Sequence, residues 1–199
     1  TEFWMANESM KQAIKPNRFV RVLLIHLGCE NDASLMVMAS NCLLSLIDLF
    51  PEISETIVDA KGLKTLEEKG KSFEYIDVAE NSVKLLNKIA ENWPTEVWLS
   101  ESPISFLNMI DFFDTSVQVI ILDVIKKCIH EFYTIKQFDK QMQDCLTILV
   151  NKSAYLNIGN DTILIRTLEC LDNILSRLNE CQNHTSNNID EEDQKDDDD

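Results

Sequence analysis

One pattern recurs along this chain and limits what it can fold into. Ala39, Cys42, Leu43 and Leu46 reappear 40 residues on as Ala79, Ser82, Val83 and Leu86, and 39 residues later as Gln118, Ile121, Leu122 and Ile125. Leu171 and Ile174 extend the series after a longer step of 49. Spacings of three and four put each set on one face of a helix. A small residue next to an aliphatic one allows neighbouring helices to approach closely. A single unit of this size cannot bury its own apolar stripe, so the units must stack on one another.

A period near 40 with about two long helices per unit is the signature of armadillo and HEAT arrays. The expected fold is therefore all-α, an armadillo/HEAT-like right-handed α-solenoid of about 3–4 helical repeats; an irregular helical bundle is the alternative. The clearest unit runs from Tyr75 to Phe113. Its first helix carries Val78, Ala79, Ser82, Val83, Leu86 and Ile89, and Pro94 is expected to stop it. Its second carries Val97, Trp98, Phe106, Leu107 and Ile110 back over the first.

Similar segments lie on either side. Met5 to Lys15 reads as a short helix ending before Pro16. Phe19 to Leu27 has the length of a strand, but the helical period of everything after it favours a helix, closed at Gly28. Ser34 to Phe50 is an amphipathic helix stopped by Pro51, and Ser54 to Lys69 follows as one more, punctuated by Gly70. Further helices are expected at Thr115–Phe132, Phe138–Leu149 and Ile163–Leu178, the last capped by Asp161 or Thr162 after a polar loop at Lys152–Asn160. From Asn179 the periodicity is lost. The organisation that follows is an N-terminal helix or cap (1–18), an armadillo-like repeat domain (19–178) and an acidic disordered tail (179–199).

Charge narrows the partners. Of a formal −16, the segment Asp190–Asp199 supplies −7, leaving −9 for the rest. Nucleic-acid binding draws on clustered Lys and Arg, so this balance disfavours it and suits a basic protein partner instead. Six cysteines, at 29, 42, 128, 145, 170 and 181, show no C-x-x-C spacing and read as reduced core residues of an intracellular protein. No run approaches the ~20 apolar residues of a membrane span, and no signal-peptide pattern opens the chain. Thr1–Trp4 is an abrupt start, as for a cut through a longer protein. The expected location is cytoplasmic and/or nuclear.

Four segments in order carry a resemblance: Leu46-Ile47-Asp48-Leu49-Phe50-Pro51, Ile57-Val58-Asp59-Ala60, Tyr75-Ile76-Asp77-Val78-Ala79-Glu80 and Phe106-Leu107-Asn108-Met109-Ile110-Asp111-Phe112-Phe113. Over roughly Phe19 to Ile129 the chain resembles the armadillo-repeat region of HECT-type E3 ubiquitin ligases of the ubiquitin-fusion-degradation class. The resemblance implies an array that engages substrate or ubiquitin N-terminal to a catalytic HECT domain. The family's catalytic cysteine belongs to that domain, and no cysteine here matches its motif. The glycine usual at the start of the second helix is present as Gly62, whereas Ser102-Pro103 stands in the next unit, so the start of that helix is expected to differ.

Other chemistry finds little support. His26 with Cys29 and Cys181 with His184 have helical spacing for shared metal ligation, but each pair needs two more ligands. Three histidines offer no base against a nucleophile, and no glycine-rich phosphate loop occurs. Trp93 and Trp98 lack the asparagine one turn downstream that peptide-clamping arrays use; Trp98 is expected in the core. The acceptor patterns at Asn151, Asn160 and Asn183 read as polar loops. No cofactor, metal, membrane, nucleic acid or small-molecule substrate is expected. If the second long helices of successive units line the groove, Lys64 and Glu68 in one unit and Ser105 and Asn108 in the next are the candidate binding residues. The alternative function is a general armadillo/HEAT interaction scaffold unrelated to ubiquitin.

Overall fold

The computed structural model describes residues 15–30, 32–131, 140–156 and 161–192, without the side chains of Phe73, of 153–156, of Leu178 and of 180–192. The described residues form helices and no strand. In chain order these are α1 (Pro16–Gly28), α2 (Ala33–Leu49), α3 (Ile53–Asp59), α4 (Gly62–Gly70), α5 (Ile76–Ile89), α6 (Pro94–Leu99), α7 (Ser102–Asn108), α8 (Thr115–His130), α9 (Lys140–Leu156) and α10 (Asp161–Glu192). Single 3-10 turns, Phe73–Tyr75 and Ile110–Phe112, precede α5 and α8.

The helices stack in two rows. The longer helices α2, α5, α8 and α10 lie side by side in that order, and α1, α4, α7 and α9 form the second row against them. The short α3 and α6 bridge the rows, α3 resting on α1 and α4, and α6 on α7 and α8. One apolar core runs the whole length, from Val20 through Leu43, Val83, Trp98, Phe106 and Leu122 to Ile174. This is the stacked solenoid that the repeat pattern demands.

Several boundaries differ from those the sequence suggests, each for a local reason. The single helix expected over Ser54–Lys69 is broken at Ala60–Lys61 into α3 and α4, and the one from Val97 to Ile110 at Ser100–Glu101 into α6 and α7. Lys61 (φ 58°) and Glu101 (φ 61°) are left-handed, which a continuous helix forbids. Two units, α3–α5 and α6–α8, are therefore made of three helices, short, short and long. Pro94 and Pro16 start helices rather than stopping them: α5 already ends at Ile89, and these two occupy the first turns of α6 and α1, where the missing N–H costs nothing, whereas α2 does end just before Pro51.

α9 continues to Leu156, into the expected polar loop, because nothing before Gly159 breaks it. α10 continues to Glu192, well past the expected end at Leu178 and through part of the segment expected to lack structure. Extending a formed helix costs far less than starting one, so the loss of an apolar stripe need not end it. The expected helix at Met5–Lys15, apart from Lys15, lies outside the described residues, as do the start of the one at Phe138, residues 157–160 and residues 193–199.

The starts of α4 and α7 prove alike, contrary to the expectation from Ser102-Pro103. Both follow a left-handed residue, and Lys15 (φ 45°) does the same before α1. Gly62 is required by close approach: a Cβ there would lie 2.6 Å from Ile57 Cγ2 and 2.8 Å from its carbonyl oxygen. Ser102 fits the equivalent place fully buried, its hydroxyl 2.8 Å from that of Ser100.

The step from α8 to α10 is 46 residues rather than 49. Val117, Ile121, Val124 and Cys128 then match Ile163, Thr167, Cys170 and Ile174, and all eight are buried. With a step of 49, Leu122 would match Leu171, which is only partly buried.

Candidate protein-binding surface

Lys64 and Glu68 lie on α4, exposed, and pair with each other at 3.8 Å. Ser105 lies on α7 and donates to Glu67 Oε1 at 2.9 Å, which ties α7 to α4. Asn108 is exposed at the end of α7. All four therefore occupy the α1–α4–α7–α9 row, and Glu67, bonded also by Lys71, is the residue that joins two of their helices. Glu67, one position before Glu68, reads in the sequence only as solvated charge and is not among the candidate binding residues.

Glu68 also borders an open cleft of about 590 Å³ between the C-terminal ends of α1 and α4 and the N-terminal ends of α2 and α5. Met36 and Val78, both buried, give it an apolar floor. Glu30, Glu68 and Glu74 supply three carboxylates to its lining, with Tyr75, Ser72 and Lys69 between them. The Tyr75 hydroxyl donates to Glu74 Oε1 at 3.1 Å, and this bond raises the pKa of the phenol above its usual value. The arrangement offers an apolar seat for an aliphatic stem and carboxylates for a cationic head. Glu30 and Glu74 belong to no repeated stripe, so the period of 40 does not reveal the cleft.

The long-helix row carries a second polar system. Asn81 of α5 donates to Asn41 Oδ1 (2.9 Å) and Ser40 Oγ (3.0 Å) of α2. Lys88 reaches Asp48 at 3.0 Å, and Lys127 of α8 reaches Asn87 Oδ1 at 2.9 Å and Glu91 at 3.2 Å. Lys126 meets Glu169 of α10 at 2.8 Å, and Arg166 joins Asp123 at 3.5 Å and Glu169 at 2.9 Å. Apart from Arg166–Glu169, which lies within α10, these pairs span about one repeat each and fasten successive units. The bond to Asp48 holds the Lys88 pKa up, and the bonds from Lys126 and then Arg166 hold that of Glu169 down.

The cysteines divide. Cys128, Cys145 and Cys170 are buried in the core, while Cys29 is half-buried and Cys42 exposed. Burial pushes the thiols of Cys128 and Cys170 up to about 12 and that of Cys145 upward as well. Burial thus favours the protonated thiol in all three, the form of a structural core cysteine. Cys42 is exposed despite its place in the repeat, since no described helix covers that side of α2. Among the described residues no three His, Cys, Asp or Glu side chains are placed to hold a metal. The side chains of Cys181 and His184 lie outside those described. No described helix is long and apolar enough to cross a membrane. Trp98 is fully buried, as expected, and its carbonyl accepts from Gln141 Nε2 at 2.7 Å.

Residues 3–97 match the family described as E3 ubiquitin-protein ligase TRIP12-like, TPR repeats. The chain is 29% identical over 118 residues to the E3 ubiquitin-protein ligase UPL3 of Arabidopsis thaliana, and 30% identical over 124 residues to UPL4 of the same plant. These matches cover 59% and 62% of this chain but only 6% and 8% of the two ligases. Two crystal structures of engineered proteins share the fold, with TM-scores of 0.64 and 0.63 at 18% and 17% identity. They cover 79% and 78% of this chain, which corresponds to 63% and 37% of theirs. Although the matched family is described by TPR repeats, a TPR unit is a helix pair of about 34 residues; here the units recur after 39–46, and α3–α5 and α6–α8 are three-helix units. Over its first half, then, this chain is similar to the repeat region of TRIP12-like E3 ubiquitin-protein ligases.

Proposed function

We propose that this chain is a non-catalytic repeat segment of a HECT-type E3 ubiquitin ligase, in the cytoplasm or nucleus, that holds a substrate or ubiquitin near the catalytic part of the same protein. Positioning is the mechanism: a rigid array that binds one partner raises its effective concentration at the transferring cysteine, which belongs to another part of the parent protein. The observation that carries the reading is the cleft at Glu68, with three carboxylates around a floor of Met36 and Val78. It suits a lysine- or arginine-bearing segment, whose stem packs on the floor while its head meets the carboxylates. Lys64, Ser105 and Asn108 would extend the contact along α4 and α7.

The test is titration of the purified chain with ubiquitin, ubiquitin chains and a Lys/Arg-rich peptide, each repeated with Glu68→Lys and Glu74→Lys. Saturable binding that both substitutions abolish, with the helical content unchanged, is the expected result. No binding to any of the three would sink the reading. Binding of the peptide alone would favour the second reading, a general interaction scaffold, which the open acidic cleft also suits.

A further inference from the structure

The cleft at Glu68 is continued by an apolar contact one unit along. The loops after α1, α4 and α7 follow one another on one edge of the stack, where those helices end and α2, α5 and α8 begin. The first two loops border the cleft, through Glu30 on one side and Ser72, Glu74 and Tyr75 on the other. The third carries Phe112, which is 67% exposed, and Ile76, the first residue of α5 on the same edge, is 41% exposed. The core does not use Phe112; the next residue, Phe113, is the buried one, edge-on to Phe106. The cations of this edge are largely engaged. Lys71 pairs with Glu67 and Lys152 with Asp111, while the cleft sets Lys69 against three carboxylates. Lys64 meets Glu68 only through an exposed contact of 3.8 Å, a weak one.

Resting on the function proposed for that cleft, we propose that its partner is an extended protein segment bearing Lys or Arg and, four residues away, a large apolar side chain. The cation enters the cleft, and the apolar side chain lies on Phe112 and Ile76. The spacing follows from the stack. Neighbouring helices pack about 8–10 Å apart, so from the middle of the cleft to the third loop is one and a half steps, roughly 12–15 Å. An extended chain advances about 3.3 Å per residue with side chains on alternate faces. The fourth residue after the cation therefore lies about 13 Å along and on the same face, whereas the third and fifth point away. The cation alone would leave the segment free to slide; the apolar contact fixes its register. Acidic residues in the segment are disfavoured by the carboxylates that draw the cation.

Titration of the whole 199-residue chain, followed by its amide chemical shifts, tests this with short Gly/Ser peptides that carry one Arg and one Leu. The Leu stands three, four or five residues from the Arg, in either order, or is absent. In one of the two orders, spacing four should bind about fivefold or more tightly than spacing three, spacing five or no Leu. Phe112→Ala should remove that advantage and Phe112→Leu should keep most of it. Both alter an exposed position and should leave the helical content unchanged. Glu74→Lys should abolish binding of every peptide. If the peptides bind equally wherever the Leu stands, or if Phe112→Ala leaves the advantage intact, this inference falls while the reading of the cleft stands. Binding of none of the peptides would sink both.

Discussion

The two rows of helices hold together by different means. Along the long-helix row, apolar positions recur with the repeat, and polar pairs such as Asn41–Asn81, Asp48–Lys88 and Asn87–Lys127 fasten one unit to the next. Along the α1–α4–α7 row the repeat is nearly invisible in the side chains, and fit decides. Gly70 of α4 leaves a space filled by the ring of Phe106, such that a Cβ on Gly70 would sit 2.0 Å from that ring. Phe106 also meets Phe113 edge-on at 6.5 Å. The equivalent of Gly70 in the next unit is Ile110, and that of Phe106 in the preceding one is Leu66; all are buried. The ring of Phe106 thus fills the space that Gly70 leaves, a fit between two units that Leu66 and Ile110 at the equivalent positions do not copy. In one row the repeat shows in recurring apolar positions and polar pairs, in the other in local fit between neighbouring units.

That contrast can be broken at its most sensitive point. Phe106→Ala should cost about 3–5 kcal/mol in chemical denaturation, as expected for emptying a buried aromatic site. Gly70→Ala should cost about 1–3 kcal/mol by overpacking. Adding Phe106→Leu to it should restore part of the loss, since the ring is what the new methyl strikes; a double variant no better than the sum of the singles would refute this fit.

The long-helix row should respond more gently. Asn81→Ala removes two bonds to α2, and a loss of about 1–2 kcal/mol is expected from thermal unfolding. A gain is expected at the left-handed start of α4. Lys61→Gly should stabilise by up to about 1 kcal/mol if relief of φ strain outweighs the extra freedom of the unfolded chain.

The smallest effect concerns acid. The folded pKa of Glu169 is lowered by Lys126 and Arg166, so its bridge contributes fully above the ordinary carboxylate range, near pH 4.3, and is lost as the pH falls through the lower folded value. Glu169→Gln should therefore flatten the stability profile slightly below about pH 4.5 and leave its shape above that unchanged.

Much of this was legible in the sequence, for identifiable reasons. Positions 43, 83 and 122 announce the long-helix row because each is an aliphatic side chain fully buried in its unit, so the demand for burial repeats with the fold. The breaks at Lys61 and Glu101 were not legible. A left-handed lysine or glutamate leaves no mark in composition, and glycine, the usual sign, stands one residue later in one unit and is absent from the other. For the candidate surface, the exposed faces of α4 and α7 follow from their stripes, and Lys64, Glu68, Ser105 and Asn108 do lie on one row. The cleft beside Glu68 does not follow, since it joins the ends of four helices through Glu30, Glu74 and Tyr75, which no single helix pattern relates.

Because each unit in this stack leans chiefly on the units just before and after it, the molecule has no centre whose loss would bring down the whole at once. Held by its ends and stretched, such a chain is expected to lengthen one unit at a time, each release paying out a slack of some forty residues while the remainder stays folded. Tension would register as a staircase rather than a snap.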